Sequence, residues 1–174
     1  SILGDRDSYY FIWDLWHRTH SLYEGKPLTR TDMIFHPDGS SIPWSSPFNE
    51  LIGIPIQVLL SRYFDETSSA RLTFHIITIS SFILGGYFFF LFLRKFLEPA
   101  PSIVGGFVFT FSTYHLIHAN QIGLTSIQWI PVFLLSMGSF LKERSLKRAL
   151  YLIISSFVLS LSDPYISVYF FTFY

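Results

Sequence analysis

A run of 43 residues, from Pro99 to Leu141, contains no Asp, Glu, Lys or Arg, and this run constrains the fold more than any other feature. As a single α-helix it would be about 65 Å long at 1.5 Å per residue, roughly twice the thickness of a bilayer core. The run must therefore fold back on itself. Its most polar point lies between Ala119 and Gly123, which predicts two membrane-spanning helices at about 102–118 and 124–141.

The composition is typical of a membrane protein. Only 14% of the 174 residues are charged, whereas 50% are apolar and 20% aromatic. A soluble domain carries about 25% charged residues to cover its surface, and a disordered chain is far less apolar. Twelve basic residues balance twelve acidic ones, so the chain offers no positive field for nucleic acid, which we do not expect as a partner. The absence of cysteine excludes disulfides and thiolate metal sites.

Charge-free segments elsewhere predict the remaining spans. Arg71 and Arg94 bracket one such segment, and a later apolar run meets Asp163-Pro164, where proline disfavours a continuous helix. We therefore predict an all-α fold, a polytopic transmembrane helix bundle. The chain opens with serine and stops within an aromatic run, which we interpret as part of a longer protein. The predicted helices are at about 72–97, 102–118, 124–141, 148–162 and 164–174, the last truncated.

Short loops predict the orientation of these helices. Basic residues flank the first and third junctions, around Arg94 and between Lys142 and Arg148, whereas the junction around Asn120 has none. By the positive-inside rule the basic junctions are cytoplasmic and Asn120 lies on the opposite side. Residues 1–71 are then an extracytoplasmic loop of a protein in the plasma or bacterial inner membrane, and Asp163 lies towards the same side as that loop.

This N-terminal loop is predicted to carry two interfacial helices, at about 7–24 and 46–64. In the first, Asp14, His17, Arg18 and Ser21 form a polar stripe opposite Tyr and Trp residues, a pattern typical of a helix at the headgroup level. In the second, a serine N-cap precedes proline at the first helical position. A loop rich in turn-forming residues connects them.

Two acidic residues are candidates for chemistry on the outer side. Asp7 is either a helix N-cap, which residue chemistry alone favours, or a general base or metal ligand. Asp163 is the only formal charge between Arg148 and the end of the chain. A carboxylate in such an apolar run usually faces a polar cavity and marks function. The alternative is an N-cap with Pro164 at the first helical position.

Two histidine pairs at i, i+3 spacing, His17/His20 and His115/His118, are further candidates on the outer side. Such pairs can share a metal or bind phosphate. Satisfying interfacial polarity is the commoner role, and no HExxH motif accompanies either pair. The chain also lacks a phosphate-binding glycine loop and a nucleophile elbow.

Several segments together resemble the GT-C membrane glycosyltransferases, which include oligosaccharyltransferase catalytic subunits and protein O-mannosyltransferases. The resemblance is carried by GDRDSYY at 4–10, WDLW at 13–16, FHPDG at 35–39 and the segment from Tyr114 to Pro131, within an outer loop followed by closely spaced spans. It implies transfer of a sugar from a polyprenyl-phosphate-linked donor on the extracytoplasmic face, with membrane lipid and that donor as partners.

The resemblance also implies roles for individual residues. Asp7 matches the essential acid of the first outer loop, with Asp5 as the close competitor, and Asp163 corresponds to a later acidic site. The family often has paired acids at that later site and this chain has one, which leaves open whether a divalent cation, Mg²⁺ or Mn²⁺, takes part. The predicted substrate-binding residues are Arg6, Asp14, His17, Arg18, His115, His118, Asn120 and Tyr165. Of these, Arg6, Arg18 or His17 would contact the phosphate.

Two other functions fit the same sequence. A transporter or flippase-like permease would line a path through the bundle with Asp163 and His115/His118. A non-catalytic scaffold subunit would need none of the acids. Polar residues are concentrated on one side of the predicted membrane, which favours surface chemistry on a lipid substrate over a permeation path.

Overall fold

The computed structural model describes residues 6–165 together with 168 and 172. It is mostly helical, which confirms the all-α class. Two two-residue strands, β1 (Arg30–Thr31) and β2 (Ser40–Ser41), pair antiparallel in the loop after the first helix. The helices are α1 (Arg6–Glu24), α2 (Pro47–Leu60), α3 (Glu66–Leu93), α4 (Pro99–Thr110), α5 (Thr113–Ile117), α6 (Trp129–Lys142) and α7 (Leu146–Ser162).

Within the described residues, α3 is the one helix long and apolar enough to cross a membrane by length and composition. It begins six residues before the predicted start at 72, because Asp65 acts as its N-cap and accepts a hydrogen bond from the backbone N–H of Ser68. Its 28 residues correspond to a length of about 42 Å. The helices α2 and α6 are apolar but shorter.

The charge-free run is organised differently from the two equal helices predicted at 102–118 and 124–141. Helix α4 ends at Thr110, and Ser112 then caps the short α5 by accepting a hydrogen bond from the backbone N–H of His115. Helix α6 does not begin until Trp129. In the irregular segment between α5 and α6, hydroxyl and amide side chains such as Thr125 take part in hydrogen bonding that a continuous helix would not allow. The reversal is therefore longer than the five residues expected.

The helices form two regions along α3. Helix α4 packs antiparallel against its second half, where Gly86 approaches Gly106 and Thr110. Helices α1 and α2 pack on its first half, where Leu15 joins Phe74 and Ile77 in one buried cluster.

Helices α6 and α7 are antiparallel partners that complete the bundle. The hydroxyl groups of Ser136 and Ser155 lie 2.5 Å apart, and Arg148 bonds the carbonyl oxygen of Ser139 at 3.0 Å. Trp129, at the start of α6, lies beside Phe88 in the second half of α3. Both basic junctions, after α3 and after α6, therefore lie at the same end of the bundle.

Polar side chains face inwards on several helices and large apolar ones face outwards. The polar stripe of α1, predicted from its spacing, is its buried face, with Asp14, His17, Arg18 and Ser21 each at most 3% exposed. On α3 the buried face includes three threonine and serine residues of its first half and Ser81, whereas Ile79 and Ile83 are more than half exposed. This distribution is the reverse of that in a soluble helix, which buries its apolar stripe.

Candidate functional site

A cavity of about 270 Å³ lies where the start of α1, the loop before α2, the segment after α5 and the end of α7 meet. It brings together Asp7 and Asp163, which are separated by most of the chain. Three aromatic rings, an amide and a hydroxyl share its lining. The lining residues are Asp7, Tyr10, Phe11, Ser45, Gln121, Gly123, Leu124, Asp163 and Tyr165.

Asp7 is exposed and lies in the first turn of α1, which begins at Arg6, so it is not the residue before the helix that an N-cap would be. Its carboxylate accepts a hydrogen bond from the side-chain amide of Gln121. The side chain of Arg6 is not described, and Asp5 lies outside the described residues.

Asp163 ends α7 and is 4% exposed. Its Oδ1 atom accepts a hydrogen bond of 2.7 Å from the backbone N–H of Tyr165, the contact that an N-cap makes with a following turn. Its Oδ2 atom lies over Gly123, where a Cβ would come within 2.5 Å of it. The carboxylate of Asp163 therefore both caps the following turn and lines the cavity. Most of the helix predicted at 164–174 lies outside the described residues.

Beneath the cavity, Asn49 of α2 ties three parts of the chain together. Its buried Nδ2 atom lies 2.6 Å from the hydroxyl of Ser46 and 2.8 Å from that of Ser126. The hydroxyl of Ser46 in turn donates to the carbonyl oxygen of Ser162, next to Asp163, at 2.5 Å. These bonds set the position of the end of α7 against α2 and the segment before α6.

Arg18 lies at the centre of a buried ion cluster that also includes Asp14 and Glu50. Its guanidinium is 3.0 Å from Oδ1 of Asp14 and 2.8 Å from Oε2 of Glu50, and all three residues are at most 1% exposed. It also donates to the carbonyl oxygens of Leu28 and Pro43 and stacks on a tryptophan ring. The charged groups of Arg18 and Asp14 face each other and the loop backbone, and neither residue lines the cavity. The predicted contact of Arg18 with a phosphate and the predicted substrate-binding role of Asp14 stay predictions.

Two carboxylates compete for this one guanidinium. Burial, followed by the nearby charge of Glu50, raises the pKa of Asp14 to about 7, and Arg18 only partly opposes this. Glu50 has other partners, because its Oε1 atom accepts hydrogen bonds from the backbone N–H of Ser46 and the hydroxyl of Ser45. Asp14 is therefore the member of the cluster that takes up a proton near neutral pH.

The two members of the first histidine pair, His17 and His20, contact different residues. His17 is buried, stacks on Trp13 and lies 3.4 Å from the hydroxyl of Ser21, and burial lowers its pKa. His20 stacks on a different tryptophan and lies between two carboxylates of α1 and α3, with Glu66 3.0 Å away. Neither lines the cavity, and the expected contact of His17 with a phosphate stays a prediction.

The second pair is divided in the same way. His115 is fully buried, stacks on Phe82, and its ring nitrogens lie 2.8 and 2.9 Å from the carbonyl oxygens of Thr110 and Thr125. His118 lies 2.8 Å from the carbonyl of Tyr114 in its own turn. Neither His115 nor His118 lines the cavity, and Asn120 does not line it either.

Among the described residues, no group of three or more His, Cys, Asp or Glu could hold a metal ion. Mg²⁺ is usually held by one or two carboxylates together with waters and substrate phosphates. The participation of Mg²⁺ or Mn²⁺ therefore stays a prediction.

Several lining residues were not among those expected from the sequence, notably Tyr10, Ser45, Gln121 and Gly123. A signal for the last two was present, because both lie in the polar reversal around Asn120. Of that reversal, Asn120 is the one residue among the substrate-binding residues predicted from the sequence.

Comparison of the chain with protein-family models, characterised proteins and solved structures gives no match. The resemblance to GT-C transferases therefore stays a prediction, and any assignment of function rests on the residues and geometry described above.

Proposed function

We propose that the chain belongs to an integral-membrane glycosyltransferase of the GT-C type. It would move a sugar from a polyprenyl-phosphate-linked donor to an acceptor on the extracytoplasmic face. The observation that carries this proposal is the shared cavity of Asp7 and Asp163, at the end of α7 opposite to the basic junction that precedes this helix. These are the two acids that the resemblance singles out.

A polytopic membrane location is supported by the inverted distribution of side chains. Small and polar residues such as Ser102, Gly106 and Ser155 lie between helices, whereas Ile103, Phe107 and other large apolar side chains are more than 60% exposed. Transmembrane helices pack through small residues in this way. A soluble monomer seldom exposes so large an apolar surface. With the basic junctions in the cytoplasm, the cavity opens towards the outer side.

The chemistry follows from the lining. Asp7, exposed and held by one hydrogen bond, would take the proton from the acceptor hydroxyl as that oxygen attacks the anomeric carbon. The bond from that carbon to the phosphate oxygen breaks on the opposite face, and the lipid phosphate leaves. Asp163 and the rings of Tyr10 and Tyr165 would hold sugar or acceptor hydroxyls. No lysine or arginine is among the described lining residues, so we expect the leaving phosphate to lie outside the cavity.

The proposal is tested by incubating membranes that contain the protein with a radiolabelled polyprenyl-phosphate sugar. We expect label to leave the lipid in the wild type, and Asp7→Asn to slow transfer by about 10²–10⁴-fold, the usual contribution of a general base. Asp32→Asn, at an exposed position of the same loop and outside the segments that carry the resemblance, is the matched control and should transfer normally.

Full transfer by a stably inserted Asp7→Asn protein would refute the catalytic role. Label that crosses sealed vesicles while still attached to its lipid would instead identify a permease or flippase, and the glycosyltransferase proposal would then fail.

A further inference from the structure

We infer that Gln121 and Gly123 are the positioning residues of the cavity, which together set where its two carboxylates lie. The catalytic consequence rests on the proposed function, whereas the geometry does not. The two residues belong to one short segment between α5 and α6, and each contacts a carboxylate from a different end of the chain.

Gln121 holds Asp7 through a single contact. Its side-chain amide donates to Oδ2 of Asp7, which comes from a helix 114 positions earlier in the sequence. An amide N–H stabilises the carboxylate form without adding charge, and it orients the carboxylate so that the remaining oxygen is available to a substrate. A carboxylate at the same position would instead repel that of Asp7.

Gly123 acts through the space that it leaves. A Cβ there would lie 2.5 Å from Oδ2 and 3.4 Å from the carboxyl carbon of Asp163, and 3.5 Å from the carbonyl oxygen of Ser162. Its φ angle is not in the left-handed region, so glycine is not required by the backbone. Because Oδ1 of Asp163 is bound to the backbone N–H of Tyr165, a methyl group would force the carboxylate to rotate and break that bond, or displace the end of α7.

The segment is itself held firmly enough to serve as a reference. Ile122, between the two residues, is 1% exposed and belongs to the core cluster with Leu15 and Phe74. The backbone N–H of Gln121 donates to the carbonyl of the residue three positions earlier, and its own carbonyl accepts from Thr125, both at 2.9 Å. A displaced carboxylate is therefore the expected response to substitution, rather than a displaced segment.

A first experiment measures the geometry without using activity. The chain has no cysteine, so introduced pairs report only on themselves. Asp163→Cys with Gly123→Cys should form a disulfide in membranes, because a Cβ at position 123 lies 3.4 Å from the carboxyl carbon of Asp163. Asp7→Cys with Gln121→Cys, whose contact runs through a long glutamine side chain, should be linked by a short bifunctional thiol reagent. Mass spectrometry of linked peptides detects both products. Asp163→Cys with Gly138→Cys is the matched control and should form none, since nothing lies within 4 Å of a Cβ at Gly138. If either test pair fails to link, the inference is overturned.

A second experiment measures the catalytic consequence by steady-state transfer. Misplacing a reacting group by about 1 Å can cost about 100-fold in rate. We expect Gly123→Ala to lower kcat by that order with KM little changed, and Gly138→Ala to match the wild type. An equal effect of the two substitutions, or one confined to KM, would overturn the assignment of Gly123.

The pH profile distinguishes positioning from a merely structural role for Gln121. The Gln121→Glu protein would carry a second carboxylate beside Asp7, in a cavity that already holds Asp163 and the phenols of Tyr10 and Tyr165. Two carboxylates in contact disfavour full ionisation of the pair, so the acidic limb of kcat/KM should move to higher pH. A profile that coincides with the wild type would overturn the role of Gln121. Linkage of both introduced cysteine pairs, together with wild-type protein that transfers no sugar, would refute the proposed function and leave the geometry intact.

Discussion

Replacing Asp14 by asparagine should remove a pH-dependent loss of stability that the buried ion cluster imposes on the native fold. Asp14 and Glu50 both face the single guanidinium of Arg18, and all three side chains are excluded from water. At high pH the cluster holds two negative charges against one positive charge. Asparagine has nearly the shape of the protonated acid and can still accept from Arg18, so the substitution leaves a balanced pair of Arg18 and Glu50.

The magnitude follows from the pKa of Asp14, which rises from 3.8 to about 7 on folding. A carboxyl whose pKa is raised in the folded state stabilises the fold fully below the unfolded value and loses that contribution as pH rises towards the folded value. Integrating between pH 5.5 and 8 gives a loss of about 2 kcal/mol in the free energy of unfolding for the wild type. For a chain of this size that corresponds to roughly 4–8 °C in Tm.

Thermal unfolding of the purified protein in detergent, followed by tryptophan fluorescence at the two pH values, measures this difference. The advantage of Asp14→Asn over the wild type should widen by about 2 kcal/mol from pH 5.5 to pH 8. Burial lowers the pKa of His17, and Asp14 is not among the charges that shift this pKa, so the effect of His17 cancels in the comparison. Asp38→Asn should leave the pH dependence unchanged. Parallel curves for the wild type and Asp14→Asn would refute the uptake of a proton by Asp14.

Two further substitutions test the packing. Arg18→Met leaves two buried carboxylates without a counter-ion, and we expect the free energy of unfolding to fall by about 3–5 kcal/mol. The loss should appear as a smaller fraction of protein that stays monodisperse in size-exclusion chromatography. Wild-type behaviour would contradict the buried cluster. Gly86→Val should separate α3 from α4, because a Cβ at that position meets the hydroxyl of Thr110. A fall in Tm is expected for this variant and not for Gly138→Val, which has open space around it.

Elements whose ends depend on local signals could be predicted from the sequence. Helix α2 begins at Pro47, within a residue of the start predicted from the serine N-cap and the proline. Helix α1 ends at Glu24, as predicted, and is followed by Gly25 with a positive φ. The pairing of Asp7 with Asp163 in one cavity was suggested by topology, since both were assigned to the same side. Such inferences need only neighbouring residues and the sign of loop charges.

The remaining features depend on contacts between distant parts of the chain, which a periodic pattern does not contain. The spacing shows that α1 has a polar stripe, but it does not show whether this stripe faces the interior or the solvent. The stripe faces the interior because Glu50, on another helix, provides a counter-charge for Arg18. The early end of α4 likewise depends on His115, whose ring nitrogens lie next to the carbonyls of two separate turns. No local signal distinguishes a buried ion cluster from a solvated one.

In the membrane orientation proposed above, the cavity would lie below the headgroup level. The hydroxyl of Ser81 donates to the carbonyl of Thr125, which places the segment below the cavity beside the middle of α3. Ser81 precedes Leu93 by 12 positions, about 18 Å along the helix. With Leu93 near the cytoplasmic edge of a ~30 Å core, Thr125 would lie roughly 12 Å below the outer edge. The carboxylates would lie nearer to that edge, because Ile122, between their two contact residues, packs with Phe74 and Ile77 of α3. Asp7 is exposed there, so the hydrogen bond from Gln121 would act on Asp7 by orienting its carboxylate.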